Sequence, residues 1–351
     1  MYWNQGSVTV ENYLANRNGI IHPMLISVLD DLNDYKSENE ILQKFKHIPN
    51  FDKILQNMIR EKILVIKNST LDKKDKLLDS SWKWGHSVRY LHYSIQNTLF
   101  EDNLDIERKK LVKLAREIPP PKPFKDLQQN KSVREINLSN SFKQMKGDFW
   151  KTLFSRRTIR QYQQKSISKT QLSKILLWTW GYTKYYSTTD IGPFIVKTSP
   201  SGGSRHPMEV YPIILRVNGI RPGIYHYSVR KNSLENIRYG NFKDLVVRLC
   251  AGQYWVKDAD VVFFMTSIIE RSMWKYRQDH AYKVLLLDAG HVGQTFHLVC
   301  TKLGLGPFTH AATKDKEIEK ILGIDGVSEI PVYVAVVGIP KNTNNKIKNK
   351  K

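Results

Sequence analysis

Apolar residues recur three and four positions apart in the first 60 residues, a spacing that predicts amphipathic helices. Ser37 precedes Glu40 by three positions, which is a capping box and marks a helix start. Three helices followed by a strand are typical of a winged helix, so a winged-helix-like module is predicted over 1–80. The predicted helices are 24–32, 40–45 and 51–60, and the predicted strand is 62–66.

The middle of the chain is polar, then aromatic-rich, then rich in proline. Residues 67–80 are predicted to be a polar connecting segment, and 81–99 to form an aromatic helical region. Four prolines within 119–123 exclude a helix and favour a stiff extended segment, so the main domain boundary is predicted there. The predicted divisions are the module over 1–80, a helical and proline-rich linker over 81–145, a second domain over 146–341 and a basic tail over 342–351.

The second domain combines apolar runs with one long apolar stripe. Near-continuous apolar runs predict buried strands, and alternating stretches beside turn residues predict further strands. The stripe over 279–303 predicts a buried helix, in which small Ala289, Gly290 and Gly293 would allow close approach at a subunit interface. His291 and Gln294 within this stripe are interpreted as a satisfied core pair. The predicted strands are 209–217, 224–227, 258–266 and 330–338, and further helices are predicted near 148 and over 171–180.

The chain of 351 residues carries 55 Lys and Arg against 33 Asp and Glu, a net charge of +22. Dispersed surface lysines account for this excess, an anionic ligand or acidic peptide is the alternative, and nucleic acid is the least favoured partner. In the winged helix, the recognition position offers Gln56, Asn57 and Arg60 but also Asp52. The neighbouring Ser37–Glu40 segment is also acidic, so the signal for DNA reading is weak, and a peptide- or carrier-docking module fits the sequence at least as well.

Cys250 and Cys300 are the only cysteines, and they indicate a reducing compartment without a disulfide framework. Neither has a second cysteine at metal-ligand spacing, so no metal site is predicted. The chain lacks an apolar run of about 18 residues, so no membrane span is expected. The first residues show no signal-peptide pattern, and a cytoplasmic location is therefore expected.

Three segments of the second domain have the composition of a ligand site. Arg156, Arg157 and Arg160 with Thr158 suit an anion such as phosphate, although a solvated surface cluster is the alternative. The loop 198–207 is built of small residues, which let a flat ligand lie against backbone. It matches neither a P-loop nor a dinucleotide fingerprint. The Gly304-Leu305-Gly306 turn similarly allows close backbone approach.

Six motifs follow one another in the second domain. They are Arg156-Arg157-Thr158-Ile159-Arg160, the loop from Pro200, Pro222-Gly223-Ile224-Tyr225, Lys275-Tyr276, Asp288-Ala289-Gly290-His291 with Gln294, and Gly304-Leu305-Gly306. In this order they resemble the nitroreductase-type flavoproteins and, more closely, the SagB-type dehydrogenases that oxidise azolines. The resemblance covers about 150–340 and implies an α+β fold, with a mainly antiparallel sheet flanked by helices, and a homodimer that holds FMN at the subunit interface.

The resemblance also implies roles for individual residues. The arginine segment would hold the FMN phosphate, ribityl chain and ring edge, and the small-residue loop would line the ring. The glycine turn would offer backbone groups near the reactive flavin nitrogen. The implied cofactor-binding residues are Arg156, Arg157, Thr158, Arg160, Pro200, Ser201, Gly202, Gly203, Ser204, Gln294, Leu305, Gly306 and Lys341.

Lys275-Tyr276 matches the Lys-Tyr pair of azoline dehydrogenases, which generic nitroreductases lack. Oxidising a thiazoline or oxazoline to its azole removes a hydride and a proton, so a flavin and a base are both needed. Either residue could be that base. Consecutive helical side chains do not share a face, so both reach one site only where the backbone is irregular.

The implied substrate is a ribosomal peptide or carrier-bound natural-product intermediate, with a cyclodehydratase as a possible partner. The basic pair Arg205-His206 departs from the small or aromatic residues usual in that loop, which leaves the substrate open. One alternative is an NAD(P)H-dependent reductase of a small molecule or dehydroamino acid. Another is a winged-helix regulator or docking scaffold with an inert flavin domain.

Overall fold

The computed structural model describes residues 1–4, 6–15, 17–32, 34–81, 86–94, 104–125, 135–138, 148–278 and 280–341. The chain divides into two compact units, Met1–Phe100 and Glu101–Lys351. Each unit has its own apolar core.

The first unit joins a three-stranded antiparallel sheet to short helices. Ser37 and Glu40 cap one another's backbone groups in the predicted capping box. Val28, Phe45 and Leu55 meet in the core, so the apolar stripes of the predicted helices face one another. The elements are β1 (Tyr2–Asn4), β2 (Ser7–Asn12), β3 (Arg17–Ile21), α1 (Ile26–Asp31), α2 (Glu38–Lys44), α3 (Phe51–Arg60), α4 (Thr70–Ser81) and α5 (His86–Ser94).

Two predictions for this unit are wrong. No strand forms over 62–66, because the amides of Ile63 and Leu64 both donate to the Met58 carbonyl and wrap the chain around the end of α3. The segment predicted as a connection forms α4 instead, which buries Leu78. The winged-helix order is therefore incomplete, while Trp82, Trp84 and most of the predicted aromatic helix beyond α5 lie outside the described residues.

The second unit is built on a seven-stranded sheet in which every described pairing is antiparallel. Its strand order is β13-β14-β12-β8-β10-β11-β4. The strands are β4 (Glu135–Asn137), β5 (Ile167–Ser168), β6 (Tyr182–Thr188), β7 (Gly192–Lys197), β8 (Met208–Ile214), β9 (Val217–Asn218), β10 (Gly223–Ser228), β11 (Ser233–Tyr239), β12 (Val261–Ile268), β13 (Gly306–His310) and β14 (Glu329–Gly338). The helices are α6 (Leu104–Glu117), α7 (Phe149–Ser155), α8 (Lys169–Thr179), α9 (Lys243–Leu249), α10 (Ile269–Lys275), α11 (Ala281–Lys302) and α12 (Asp315–Leu322).

Both faces of this sheet are covered by helices. Side chains of β12 alternate between them: Phe263 joins the core with α8 and α11, and Phe264 joins the core with α9 and α12. Full burial on both faces explains why the strand appears as a continuous apolar run. The predicted α+β fold, with helices flanking an antiparallel sheet, is confirmed.

The proline-rich segment does not separate the units, contrary to the predicted boundary. The Ile118 and Lys122 carbonyls accept hydrogen bonds from α10 side chains, and Phe124 is buried in the main core. Backbone carbonyls of a proline-rich stretch remain available as acceptors, so the segment docks against the second unit instead of spanning a gap. β4, within the predicted linker, adds an edge strand to the sheet.

Among the described helices, none has both the length and the apolar character that a membrane crossing requires.

Candidate active site

The small-residue loop is fastened to α11 by its own backbone and hydroxyl groups. Ser201 Oγ donates to Asp288 Oδ2 at 2.6 Å, and the Gly202 amide donates to Asp288 Oδ1 at 3.1 Å. Further along the helix, the hydroxyls of Ser199 and Thr295 lie 2.6 Å apart. The loop therefore runs beside α11 with its conformation fixed.

Lys275 and Tyr276 converge on this loop. Lys275 is the last residue of α10, and Tyr276 leaves the helix in an extended conformation with φ −109° and ψ 103°. A Cβ on Gly203 would lie 2.7 Å from Tyr276 Oη and 2.8 Å from Lys275 Cδ, so both side chains reach one glycine. The helix end between them supplies the irregular backbone that the sequence argument requires.

Gly203 is required at this point for two reasons. Its φ of 57° lies in the left-handed region, and no Cβ fits between its backbone and the Lys-Tyr pair. Both side chains are half-buried, and Lys275 Nζ lies 5.3 Å from the centre of the Tyr276 ring. The loop, an amine and a phenol thus form one compact cluster.

Cationic side chains lie buried around the same loop. Arg205 Nε donates to the Gly203 carbonyl at 3.1 Å, and its guanidinium sits 5.1 Å over the Trp274 ring. Burial lowers the pKa of Lys197 to about 8. Burial, together with the positive charges of Lys197 and Arg205, lowers the pKa of His206 to about 3, so this imidazole is neutral.

The arginine segment lies beside the glycine turn, on another stretch of the unit. The Ile159 amide donates to the Pro307 carbonyl at 2.9 Å, and a Cβ on Gly306 would lie 2.8 Å from Ile159 Cγ2. Arg160 places its guanidinium 4.8 Å over the Phe308 ring. Arg157 donates to the carbonyls of Phe154 and Arg156 and stabilises the turn after α7.

His297 on α11 faces this second cluster. Its Nε2 lies 3.2 Å from Thr309 Oγ1, while its Nδ1 is buried without a hydrogen-bond partner among the described residues. Burial and the positive charge of Arg156 lower its pKa to about 4. The Lys341 amide donates to the Gln161 carbonyl at 3.0 Å, which brings the end of the described chain to the arginine segment.

The burial of polar and small residues on α11 differs from the sequence prediction. His291 and Gln294 are exposed, so they are not a core pair. Ala289 is buried, and a Cβ on Gly293 would meet Tyr333 at 2.8 Å, so both positions pack inside their own chain. Gly290 alone of the three small residues lies on the open face of the helix.

Sequence reasoning missed a buried charge network beneath the loop. Glu209 accepts from Arg271 Nη1 at 2.6 Å, and its other oxygen lies 3.0 Å from His226 Nε2. His226 Nδ1 lies 2.9 Å from Glu235. All four side chains are at most 3% exposed. The only sequence signal was a carboxylate inside the apolar run of β8.

Together, the two clusters provide glycine-containing backbone, guanidinium groups, an amine and a phenol. Such a set could hold a flat, phosphorylated cofactor and act on a substrate that loses a proton.

The chain resembles known proteins over its second unit. It is 30% identical over 186 residues to a protein described as a nitroreductase, MJ1384 of Methanocaldococcus jannaschii, covering 53% of this chain and 88% of that one. It is 30% identical over 150 residues to the trifolitoxin-processing protein TfxB of Rhizobium leguminosarum, covering 42% of this chain and 40% of TfxB. The chain thus spans less than half of the length of TfxB.

Among solved structures, a protein described as a nitroreductase from Anabaena variabilis superposes with a TM-score of 0.55 at 24% identity. The match covers 72% of this chain and 47% of that one, and it supports the fold. The nitroreductase family model matches residues 153–339. Because that match covers more than half of the 351 residues, the chain belongs to the nitroreductase family of oxidoreductases.

Proposed function

We propose that this protein is an FMN-dependent oxidoreductase that converts thiazoline or oxazoline rings into azoles in a peptide or carrier-bound intermediate. The convergence of Lys275 and Tyr276 on Gly203 carries this proposal, because the reaction needs a base beside the hydride acceptor. The similarity to TfxB, a processing protein, supports a role in maturation of a larger product.

In the proposed reaction, one ring carbon loses a hydride, the adjacent ring carbon loses a proton, and the carbon–carbon double bond that forms between them completes the aromatic ring. FMN, when bound, would supply the hydride acceptor, with dioxygen as the terminal oxidant. Lys275 or Tyr276 takes the proton at the amine or the phenolate oxygen. Val284 of α11 packs against Gly202 of the small-residue loop.

The described residues fit FMN. The buried Nδ1 of His297 has no hydrogen-bond partner within the described part of the chain, and the positive charge of Arg156 acts on this imidazole. A guanidinium group suits phosphate. In the glycine turn, a Cβ on Gly304 would meet no atom within 4 Å, so the backbone there is open to a flat ring. Gln294 and Thr158 are exposed, and their roles remain predictions.

Replacing Arg156 by Ala is expected to weaken FMN binding by roughly 10- to 100-fold, because a hydrogen bond to a charged group contributes about 1.5–3 kcal/mol. Fluorescence titration of the apoprotein with FMN measures the change. Lys151→Ala, an exposed change on helix α7, which Arg156 directly follows, is the matched control and should bind like wild type. Equal affinity of the Arg156 variant and the control would contradict the phosphate assignment.

An apolar surface on α7 and α11 supports the proposed homodimer. Trp150 is 62% exposed and Leu287 is 53% exposed, and the two helices pack on one another. Large apolar groups on adjacent elements mark an interaction surface, and a second copy of the chain is the proposed occupant. A monomeric mass in light scattering of the FMN-loaded protein would contradict this part of the proposal.

Incubating the protein with FMN, air and a thiazoline-bearing peptide tests the function directly. We expect the peptide to lose two hydrogen atoms, detected by mass spectrometry, without NADPH. Rapid flavin reduction by NADPH with no azole product would instead identify a reductase. A protein that takes up no FMN would favour a scaffold.

In the first unit, the surface of α3 supports peptide or carrier docking more than DNA reading. Gln56 Nε2 donates to Glu38 Oε1 at 2.6 Å, and Arg60 pairs with Glu61 at 3.2 Å. Two of the side chains that could read DNA bases are therefore bonded to carboxylates. An apolar groove lined by Ile59 and its neighbours lies on the same unit. Duplex DNA binding with steep salt dependence would contradict the docking role.

A further inference from the structure

Arg271 lies one helical turn before Lys275 on α10 and is 3% exposed. Its guanidinium reaches three separate segments. Nη1 donates to Glu209 Oε1 at 2.6 Å and to the His206 carbonyl at 3.2 Å, and Nε donates to the Lys122 carbonyl at 3.2 Å. One side chain therefore joins β8, the end of the small-residue loop and the proline-rich segment to the helix that carries Lys275.

A neighbouring contact holds the same helix. Trp274 is 4% exposed, and its indole Nε1 donates to the Ile118 carbonyl at 2.8 Å. The Arg205 guanidinium covers the ring of Trp274. A helix of seven residues has little stability of its own, so such tertiary contacts decide where its last residue points.

The carboxylate that Arg271 grips is itself fixed. Glu209 uses its second oxygen for His226, whose other ring nitrogen meets Glu235. The positions of both Glu209 oxygens are therefore set by charged neighbours in the sheet. The planar Arg271 guanidinium bonds three fixed acceptors through Nη1 and Nε, so it sets direction as well as distance, which an apolar contact does not.

We propose that Arg271 is a positioning residue that sets Lys275 and Tyr276 against Gly203 through its hold on Glu209 and the Lys122 carbonyl. The catalytic part of this inference rests on the proposed function. Misplacing reacting groups by about 1 Å can cost roughly 100-fold in rate, so a fixed helix end matters to a proton-accepting pair. The proline-rich segment thereby becomes part of the site's support.

The test compares Arg271→Lys with Arg216→Lys in the full-length, FMN-loaded protein. Arg216 is a matched control, since it also grips one carboxylate, Asp260 at 2.8 Å, and two backbone carbonyls. Acetic anhydride labelling across a pH series, followed by mass spectrometry, reports the accessibility and pH profile of the Lys275 amine without any substrate. Turnover of a thiazoline-bearing peptide is measured in parallel.

We expect Arg271→Lys to increase the labelling of Lys275 and shift its pH profile, and to lower kcat by roughly 100-fold with little change in KM. Arg216→Lys should leave both readouts at the wild-type values. An unchanged Lys275 profile in folded Arg271→Lys protein, or an equal change in the control, would overturn the proposal.

A second variant covers the case in which Arg271→Lys does not fold. Glu209→Gln keeps the shape of the side chain and one oxygen acceptor for Arg271 but removes the carboxylate charge. The same changes in Lys275 labelling and in kcat are expected for this variant. If wild-type protein shows no azole formation while the labelling profile still depends on Arg271, the proposed function fails and the positioning role stands. The two failures are therefore distinguishable.

Discussion

Replacing Lys275 by Ala is expected to lower the rate of azoline oxidation by roughly 10²- to 10⁴-fold, the usual contribution of a positioned general base. The reason is geometric, because the amine and the Tyr276 phenol share one contact point on Gly203. Azole formation from a thiazoline-bearing peptide, followed by mass spectrometry, is the measurement. Bound FMN, read from its absorbance, should remain at the wild-type level.

Two further variants make this result specific. Lys283→Ala removes an exposed lysine of α11 near the same site and should leave the rate unchanged. Tyr276→Phe keeps the ring and removes the hydroxyl, so comparing its loss with that of Lys275→Ala shows which group takes the proton. Wild-type turnover by Lys275→Ala protein would exclude the lysine as the base and remove the main argument for azoline chemistry.

The Lys275–Tyr276 pair shows which parts of the site the sequence can predict and which it cannot. Lys275 and Tyr276 could be selected because a motif places them together, and the small-residue loop because its composition is unusual. Their meeting could not be predicted, since it depends on α10 ending between them and on a left-handed Gly203. A motif therefore identifies reactive side chains, but whether the two side chains meet depends on where the helix that carries them ends.

Local patterns failed where tertiary partners decide the structure. The apolar run over 62–66 lacks a neighbouring strand among the described residues and folds back on the end of α3. Arg271 and Glu209 are 62 positions apart in the chain, so nothing local relates them. The strands of the second unit's sheet are easier to predict from sequence, because burial on both faces leaves a continuous apolar run.

Replacing Glu209 by Ala is expected to destabilise the protein by about 3–5 kcal/mol, because it leaves the buried charge of Arg271 without its carboxylate and removes one of the two carboxylates at His226. For a unit of this size the melting temperature should fall by roughly 6–20 °C. Thermal unfolding followed by circular dichroism measures the shift. Glu317→Ala, which breaks the exposed pair with Arg248 at 2.8 Å, should cost less than about 1 kcal/mol.

The same carboxylate predicts a pH dependence whose sign is fixed. Burial opposes the ionisation of Glu209, but the charges of Arg271 and His226 outweigh it and lower its pKa from the usual 4.5 to about 2. Its ionised form therefore stabilises the fold fully above pH 4.5, and this contribution disappears as the pH falls towards 2. In urea unfolding, the wild type should have a higher free energy of unfolding than Glu209→Gln at pH 7, and this difference should be smaller at about pH 3. A difference in the free energy of unfolding that does not change with pH would mean that the carboxylate charge does not hold this network together.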